Sequence, residues 1–405
     1  IAAIGLVVLT ALYTIFGGMK SVLYTSVLQT PILLLGSLII LVLGFKELGG
    51  WDEMMRVCGA VTVNDYGDTM TNLIRSNDDA NFPWLGALIG SAIIGFWYWC
   101  TDQFIVQRVL SGKNEMEARR GTIFGAYLKL LPVFLFLIPG MIAFALHQKY
   151  IGAGGEGFLP MLANGTANAD AAFPTLVAKL LPAGVKGLVV CGILAALMSS
   201  LASLFNSSAM LFTIDFYKRF KPETPEKKLV GIGQIATIVI VVLGILWIPI
   251  MRSVGDVLYT YLQDVQSVLA PGIAAAFLLG ICWKRTSAQG GMWGLISGMV
   301  IGLTRLGAKV YYSNAGEVAD STFKYLFYDM NWLFFCGWMF LFCIIVVIVV
   351  SLATEAPTAE KIQGLVFGTA TKEQKAATRA SWNHWDIIHT VIILAITAAF
   401  YWYFW

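Results

Sequence analysis

Charge is what this sequence has least of. Asp, Glu, Lys and Arg make up 13% of its 405 residues, about half the share of an ordinary soluble domain, so a soluble globular protein is excluded at the outset. The formal net charge of +3 is too small to argue for nucleic acid as a partner. Histidine is scarce too: His147, His384 and His389 all fall near the ends of apolar runs. There is no His-Glu-x-x-His and no Gly-x-Ser-x-Gly, and Ser199 has no evident histidine partner. An enzyme is therefore not expected, because an intramembrane hydrolase needs a nucleophile and a base together. The six cysteines form no Cys-x-x-Cys pair, and most lie in apolar runs, where cysteine behaves as a small hydrophobe. The glycine-rich GAGGEG at 152–157 lacks a following Gly-Lys-Ser/Thr and reads as a flexible loop, not a phosphate cradle. The chain opens IAAIGLVV, with neither Met nor a charged leader. That opening reads as the inside of a helix, and an N-terminal part is expected to be missing.

Long apolar runs are what the sequence has in abundance. Hydrophobic residues make up 58% of the chain and its mean hydropathy is +0.74. Runs of about 20 apolar residues, each enough to cross a bilayer as a helix, recur along it. They predict an all-α polytopic membrane protein in contact with the lipid bilayer, with spans near 1–16, 19–45, 84–106, 121–147, 184–216, 229–251, 256–282, 289–311, 331–352 and 385–405. A β-barrel, built from short alternating segments, would not give such runs. Two connections are long, 46–83 and 148–183, and the second contains AAFPTLVAKLLP at 171–182, a short amphipathic helix. Sixteen Lys and Arg residues fall on the side reached by 17–20, 107–120, 217–228, 283–288 and 353–384, against nine on the other. This places the first side in the cytoplasm. Gly290, Gly294, Gly298 and Gly302 recur every four residues and form one face of a helix that another helix can approach closely.

Four features carry possible chemistry. In GFWYWCTDQFIVQR at 95–108, three rings run into Thr101, Asp102 and Gln103, which suits either an interfacial belt or a pocket for something flat and polar. Lys129 lies well inside an apolar span, where an ammonium costs at least about 2.5–3.5 kcal/mol unless it meets a wet cavity, a carboxylate or a polar ligand. Snorkelling from a helix end is the alternative, weakened because eight uncharged residues separate Lys129 from Arg120. Ala196, Ser199, Ser200 and Ser203, at i, i+3, i+4 and i+7, give one helix side small residues and hydroxyls. Hydroxyls and carbonyls can hold sodium without formal charge, and they serve helix packing equally well. Gln263, Asp264 and Gln266 precede Pro271-Gly272, which suggests either a helix that bends or opens at membrane depth or a polar entrance to a later span.

Taken together, WYWCTDQFIVQR (97–108), AYLKLLP (126–132), ALMSSLASLFNSSAMLFTIDFY (196–217), YLQ (261–263) and PGIAAAFLLGICWKR (271–285) resemble the sodium/solute symporters. LYTIFGG (12–18) and FPTLVAKLLP (173–182) fit as well, and the resemblance is strongest to the glucose/galactose branch. It implies a sodium-leucine-transporter-like inverted-repeat fold, truncated at its N-terminus with about ten transmembrane helices present. Residues 1–45 would be the last two helices of the first repeat, 46–83 an extracellular loop, 84–282 the five-helix second repeat with its loop 148–183, and 283–405 the accessory helices. It also implies that Tyr98 stacks on a sugar with Trp99 beside it, that Lys129 and Gln263 bind the sugar, and that Tyr259 is the outer aromatic gate. Ala196 by its carbonyl, and Ser199 and Ser200 by their hydroxyls, would hold Na+. Three positions depart from the family pattern: Gln266 where threonine is frequent, Gly95 where some bacterial members have asparagine, and Ser26 where aspartate is expected.

The function implied is sodium-coupled symport of a glucose- or galactose-like sugar in the plasma (inner) membrane. Inositol or an acidic sugar as the solute, a non-transporting sensor, and an intramembrane enzyme are the alternatives.

Overall fold

The computed structural model describes residues 2–162, 165–251, 258–314 and 319–405. Among these residues there are helices and no strand. In chain order the helices begin with α1 (Ala2–Leu48), α2 (Trp51–Gly59), α3 (Trp84–Phe96), α4 (Gln103–Leu110), α5 (Glu115–Pro132) and α6 (Ile138–Gly152). There follow α7 (Ala172–Leu180), α8 (Ala183–Met210), α9 (Lys218–Phe220), α10 (Glu226–Met251), α11 (Leu258–Cys282) and α12 (Ala288–Asn314). The last are α13 (Thr322–Lys324), α14 (Trp332–Ala353), α15 (Ala359–Ile362), α16 (Lys372–Ala380) and α17 (His384–Tyr403). Four of the described segments are π-helical: Trp97–Thr101, Val133–Leu137, Leu211–Tyr217 and Tyr325–Asp329.

Among the described residues, eight helical stretches are long and apolar enough to cross a membrane, and they fall on eight of the ten expected spans. The ninth, 289–311, is the helix α12, made less apolar by its glycines, Arg305 and Lys309. The tenth requires a correction. Spans 1–16 and 19–45 and the turn at 17–20 are expected as separate pieces, whereas α1 runs through them as one 47-residue helix. Gly17 and Gly18 weaken a helix by about 1 kcal/mol each but carry no proline's steric block. In apolar surroundings a continued helix keeps every backbone group bonded.

The chain divides into two compact units. The first comprises Ile1–Val61, Thr69–Thr71 and Ala126–Val257. Its central contact is α1 against α8. The helices approach closely because a Cβ on Gly36 would stand 2.5 Å from Val189 Cγ2, and one on Gly192 3.0 Å from Ile32 Cγ2. Inside lipid there is no hydrophobic gain from such contact, so close packing of small residues supplies the attraction. Nearer the loops, Leu48, Met54, Ile142, Leu146 and Leu176 close a fully buried cluster between α1, α2, α6 and α7. The amphipathic helix expected at 171–182 is α7, which buries Leu176 and Val177. Lys179 fastens it by donating to the Phe158 carbonyl at 2.8 Å. In the glycine-rich loop, Gly157 leaves room for the buried His147 ring, whose Nδ1 accepts the Leu159 N–H at 3.0 Å.

The second unit comprises Thr62–Asp68, Asn72–Gly125 and Leu258–Trp405. Here α11, α12 and α14 pack on one another, with α3 against α11 and α14. The glycine stripe is the seam. A Cβ on Gly302 would stand 2.6 Å from the Val268 carbonyl oxygen, and one on Gly298 2.9 Å from Gly272 Cα. Gly294 and Gly290 leave no room for a Cβ beside Val347 and Ser351 of α14. Pro271 is accommodated inside α11, which stays helical from Leu258 to Cys282. Of the two readings of this stretch, a helix that opens at the proline is not what α11 shows, and Gln263 lies within the helix.

Candidate functional site

The hydroxyl-bearing side of α8 belongs to the first unit. Helical period places Ser199 and Ser203 inside, at 6% and 0% exposure, while Ser200 is exposed and Ala196 half-buried. The four residues therefore straddle the edge of the buried face instead of sharing it, since steps of three and four fall on either side of a 3.6-residue turn. Ser199 Oγ lies 2.5 Å from Ser26 Oγ on α1, so one hydroxyl donates to the other. The family's aspartate position is therefore occupied by a neutral hydroxyl in direct contact with a proposed sodium ligand. Among the described residues no three His, Cys, Asp or Glu side chains cluster as a metal site. Any cation held at this place is held by oxygen dipoles, as suits sodium and not zinc.

The aromatic run lies in the second unit. Trp97–Thr101 forms a π-helical turn at the end of α3, a rare feature concentrated at functional sites. Tyr98 is half-buried between its neighbours, 5.2 Å from the Trp99 ring at an edge-on 89° and 6.2 Å from Trp97. Trp99 is 50% exposed. The polar residues after the rings have a structural task. Thr101 Oγ1 donates to the Trp97 carbonyl at 2.7 Å. The backbone turns extended at Asp102, whose carboxylate caps α4 by accepting the Phe104 N–H at 3.1 Å. The carboxylate after the rings thus starts a new helix, and the rings remain as the candidate platform.

Helix α11 packs against this π-turn and against α3, bringing the element that bears Gln263 to the element that bears Tyr98. Gln263 is half-buried and Tyr259, one turn earlier, is 58% exposed. Gln266 is half-buried on the same helix. Lys129 lies in the other unit, exposed on the last turn of α5 before Pro132 and the π-turn Val133–Leu137. The structure thus gathers Ser26 with Ser199 in one unit, and the helices of Tyr98, Trp99, Gln263 and Tyr259 in the other.

One group of charges was not anticipated. Asp264, next to Gln263, is ion-paired with Arg305 and Lys309 of α12. The available signal was two cations four residues apart in an otherwise uncharged span.

A profile of the sodium:solute symporter family matches residues 1–298. The chain is 36% identical to human sodium/myo-inositol cotransporter 2 over 91% of its own length and 56% of that protein's. It is 38% identical to sheep sodium/glucose cotransporter 1, over 86% and 55% respectively. It is 35% identical to the cattle sodium/mannose cotransporter, over 98% and 70%. The chain thus spans little more than half the length of most of these relatives. Among solved structures, a substrate-bound, outward-open Na+-coupled sialic acid symporter superposes with a TM-score of 0.64. The match covers 87% of this chain and 66% of that one, at 20% identity, and shows a shared helical fold. That agrees with the sodium-leucine-transporter-like fold implied by the motifs. With 298 of 405 residues matched and identity above a third to cotransporters, this chain belongs to the sodium:solute symporter family.

Proposed function

We propose that the full-length protein is a sodium-coupled symporter of a sugar or closely related polyol, working by alternating access in the plasma membrane. The observation that carries this reading is the hydroxyl pair Ser26–Ser199, set where α1 and α8 meet. Neutral oxygens at membrane depth suit a small monovalent cation, whose own charge supplies the attraction. The solute class follows from relatives named for sodium-coupled transport of glucose, mannose and myo-inositol.

In this reading Na+ is held by the Ala196 carbonyl and the Ser199 and Ser200 hydroxyls. The ring of Tyr98, with Trp99 beside it, takes the apolar C–H face of the sugar. Lys129 and Gln263 hydrogen-bond its hydroxyls, and Tyr259 covers it from outside. Residues 84–282 supply the second five-helix repeat. No bond in the solute is made or broken. Coupling arises because each ligand binds better once the other is present, by a factor commonly of about 5–150. Myo-inositol and acidic sugars are the competing solutes within the same mechanism.

The test is uptake of labelled sugar by proteoliposomes of the full-length protein, with unlabelled glucose, galactose, mannose, myo-inositol and an acidic sugar as competitors. Uptake driven by an inward sodium gradient and blocked by a neutral sugar supports the proposal. Uptake indifferent to sodium contradicts it.

A further inference from the structure

The seam between α11 and α12 changes character along its length. Residues 264, 268 and 272 of α11 are four apart and share one face. Val268 and Gly272 meet Gly302 and Gly298 of α12 in backbone-close contact. One turn further toward the start of α11 the contact becomes ionic. The Lys309 ammonium donates to Asp264 Oδ2, and Arg305 Nη2 lies 3.6 Å from Asp264 Oδ1.

The three charges are not equivalently supported. Arg305 is 1% exposed, and two of its three nitrogens have carbonyl partners while its Nε has none among the described residues. Its Nη2 donates to the Met330 carbonyl at 2.8 Å and its Nη1 to the Leu326 carbonyl at 3.4 Å. Its Cζ stands 4.0 Å from the centre of the Phe335 ring, a favourable cation–π arrangement. Lys309, with a third of its side chain exposed, has its ion pair with Asp264. Formally the group holds two positive charges and one negative. Among the described residues, Asp264 is thus the single anion that two cations four residues apart on α12 share.

We infer that Asp264 is a positioning residue for the substrate-facing turns of α11, clamped to α12 by Arg305 and Lys309. Gln263 is its immediate neighbour and Tyr259 lies five residues earlier, both ahead of the glycine contacts at 268 and 272. Among the described residues, the glycine contacts fall at Val268 and Gly272, beyond those first turns. The ion pairs fix the rotation of the helix at 264, and a helix fixed there has no freedom left at 263. The inference rests on the proposed sugar role of Gln263, and it assigns Asp264 no contact with the solute.

The unequal support of the charges gives the test. In the full-length protein, Asp264→Asn leaves two cations without their counter-charge. Apparent sugar affinity should fall about tenfold, the scale of a single lost buried interaction. Adding Lys309→Met to Asp264→Asn removes one of the two stranded cations and leaves the other, Arg305, on its carbonyls and ring. The double variant should recover to within about threefold of the unmodified protein, since removing both partners of the Asp264–Lys309 pair is milder than removing one and Arg305 keeps its carbonyl and ring contacts. Lys309→Arg, which keeps the charge, should also stay within about threefold. Sodium binding without sugar, read as sodium-dependent thermal stabilisation, should be unchanged throughout.

A double variant no better than Asp264→Asn would overturn the inference, because a carboxylate that binds solute directly is not restored by removing a lysine. Loss of the sodium response in step with the sugar response would also overturn it, as general misfolding would produce that. If the unmodified protein takes up no sugar, the functional proposal fails instead. The clamp is then judged by melting temperature, where Asp264→Asn should melt lowest of the three variants and any other order rejects it.

Discussion

Ser26 on α1 and Ser199 on α8 share a hydrogen bond of 2.5 Å between residues 173 positions apart in the chain. Two consequences follow from its being a hydroxyl pair and not a carboxylate and a hydroxyl. The site carries no fixed negative charge of its own from this pair, so its affinity for a cation depends on how many oxygens surround it. Each hydroxyl is also separately removable without much change in volume.

Ser199→Ala and Ser200→Ala should each raise the sodium concentration for half-maximal uptake about tenfold, as expected for one lost ligand among few. Alanine fits wherever serine packs, so a purely structural role predicts near-normal uptake. Ser26→Ala should have a smaller effect, because it removes the partner of a ligand and not a ligand. Sodium titration of uptake separates these outcomes.

Ser26→Asp restores the residue usual at this family position and places a carboxylate beside Ser199. Opposite charges interact strongly away from water, so the variant should bind sodium or a proton more tightly. It should also be less stable when neither is bound, because an unpaired carboxylate at this depth is costly. The unmodified protein is expected to carry one sodium per sugar, and a measured ratio of two would contradict that.

Tyr98→Ala should reduce sugar transport steeply, and Tyr98→Phe much less, because the ring and not the hydroxyl supplies the platform. Initial rates over a range of sugar concentrations decide the matter. Equal losses for both replacements would argue against stacking, and unchanged sugar affinity would return Tyr98 to an interfacial belt.

Lys129→Ala should weaken sugar binding more than sodium binding. A charged hydrogen bond contributes about 1.5–3 kcal/mol, which corresponds to roughly a ten- to hundredfold loss of affinity. A folded variant with normal sugar affinity would remove Lys129 from the site.

Glycines of α12 offer a test of packing that is independent of transport. Gly302→Ala places a Cβ against the Val268 carbonyl, where the backbone cannot yield, whereas Gly291 has open space around it. Gly302→Ala should lower the melting temperature clearly, and Gly291→Ala should leave it level or raise it, since alanine favours helix by about 1 kcal/mol. Equal responses would mean that α12 does not meet α11 through this stripe.

Much of this molecule could be read from the sequence because lipid demands continuous apolar helices, and hydropathy registers them directly. The glycine stripe on α12 and the amphipathic α7 were readable for the same reason, as their periodicity is the packing signal. The turn expected at 17–20 is not formed because the glycine pair at 17 and 18 lowers helix propensity without forbidding helix, and α1 continues through it. The π-turn at Trp97–Thr101 has no compositional signature, being a shift of hydrogen bonds by one residue. Asp264, Arg305 and Lys309 were each visible, but their meeting depends on the register of α11 against α12, which the contacts Val268–Gly302 and Gly272–Gly298 determine. The Ser26–Ser199 bond was hidden likewise: the resemblance marked both positions, and only the fold joins them.

Sodium-gradient-driven sugar uptake by the purified full-length protein in liposomes is the most direct measurement of all. Uptake should accumulate sugar above its outside concentration when sodium is high outside, collapse when the gradient is abolished, and need about tenfold more sodium in Ser199→Ala. Equal uptake with and without a sodium gradient, or a Ser199→Ala variant indistinguishable from the unmodified protein, would contradict sodium coupling through the α1–α8 hydroxyls.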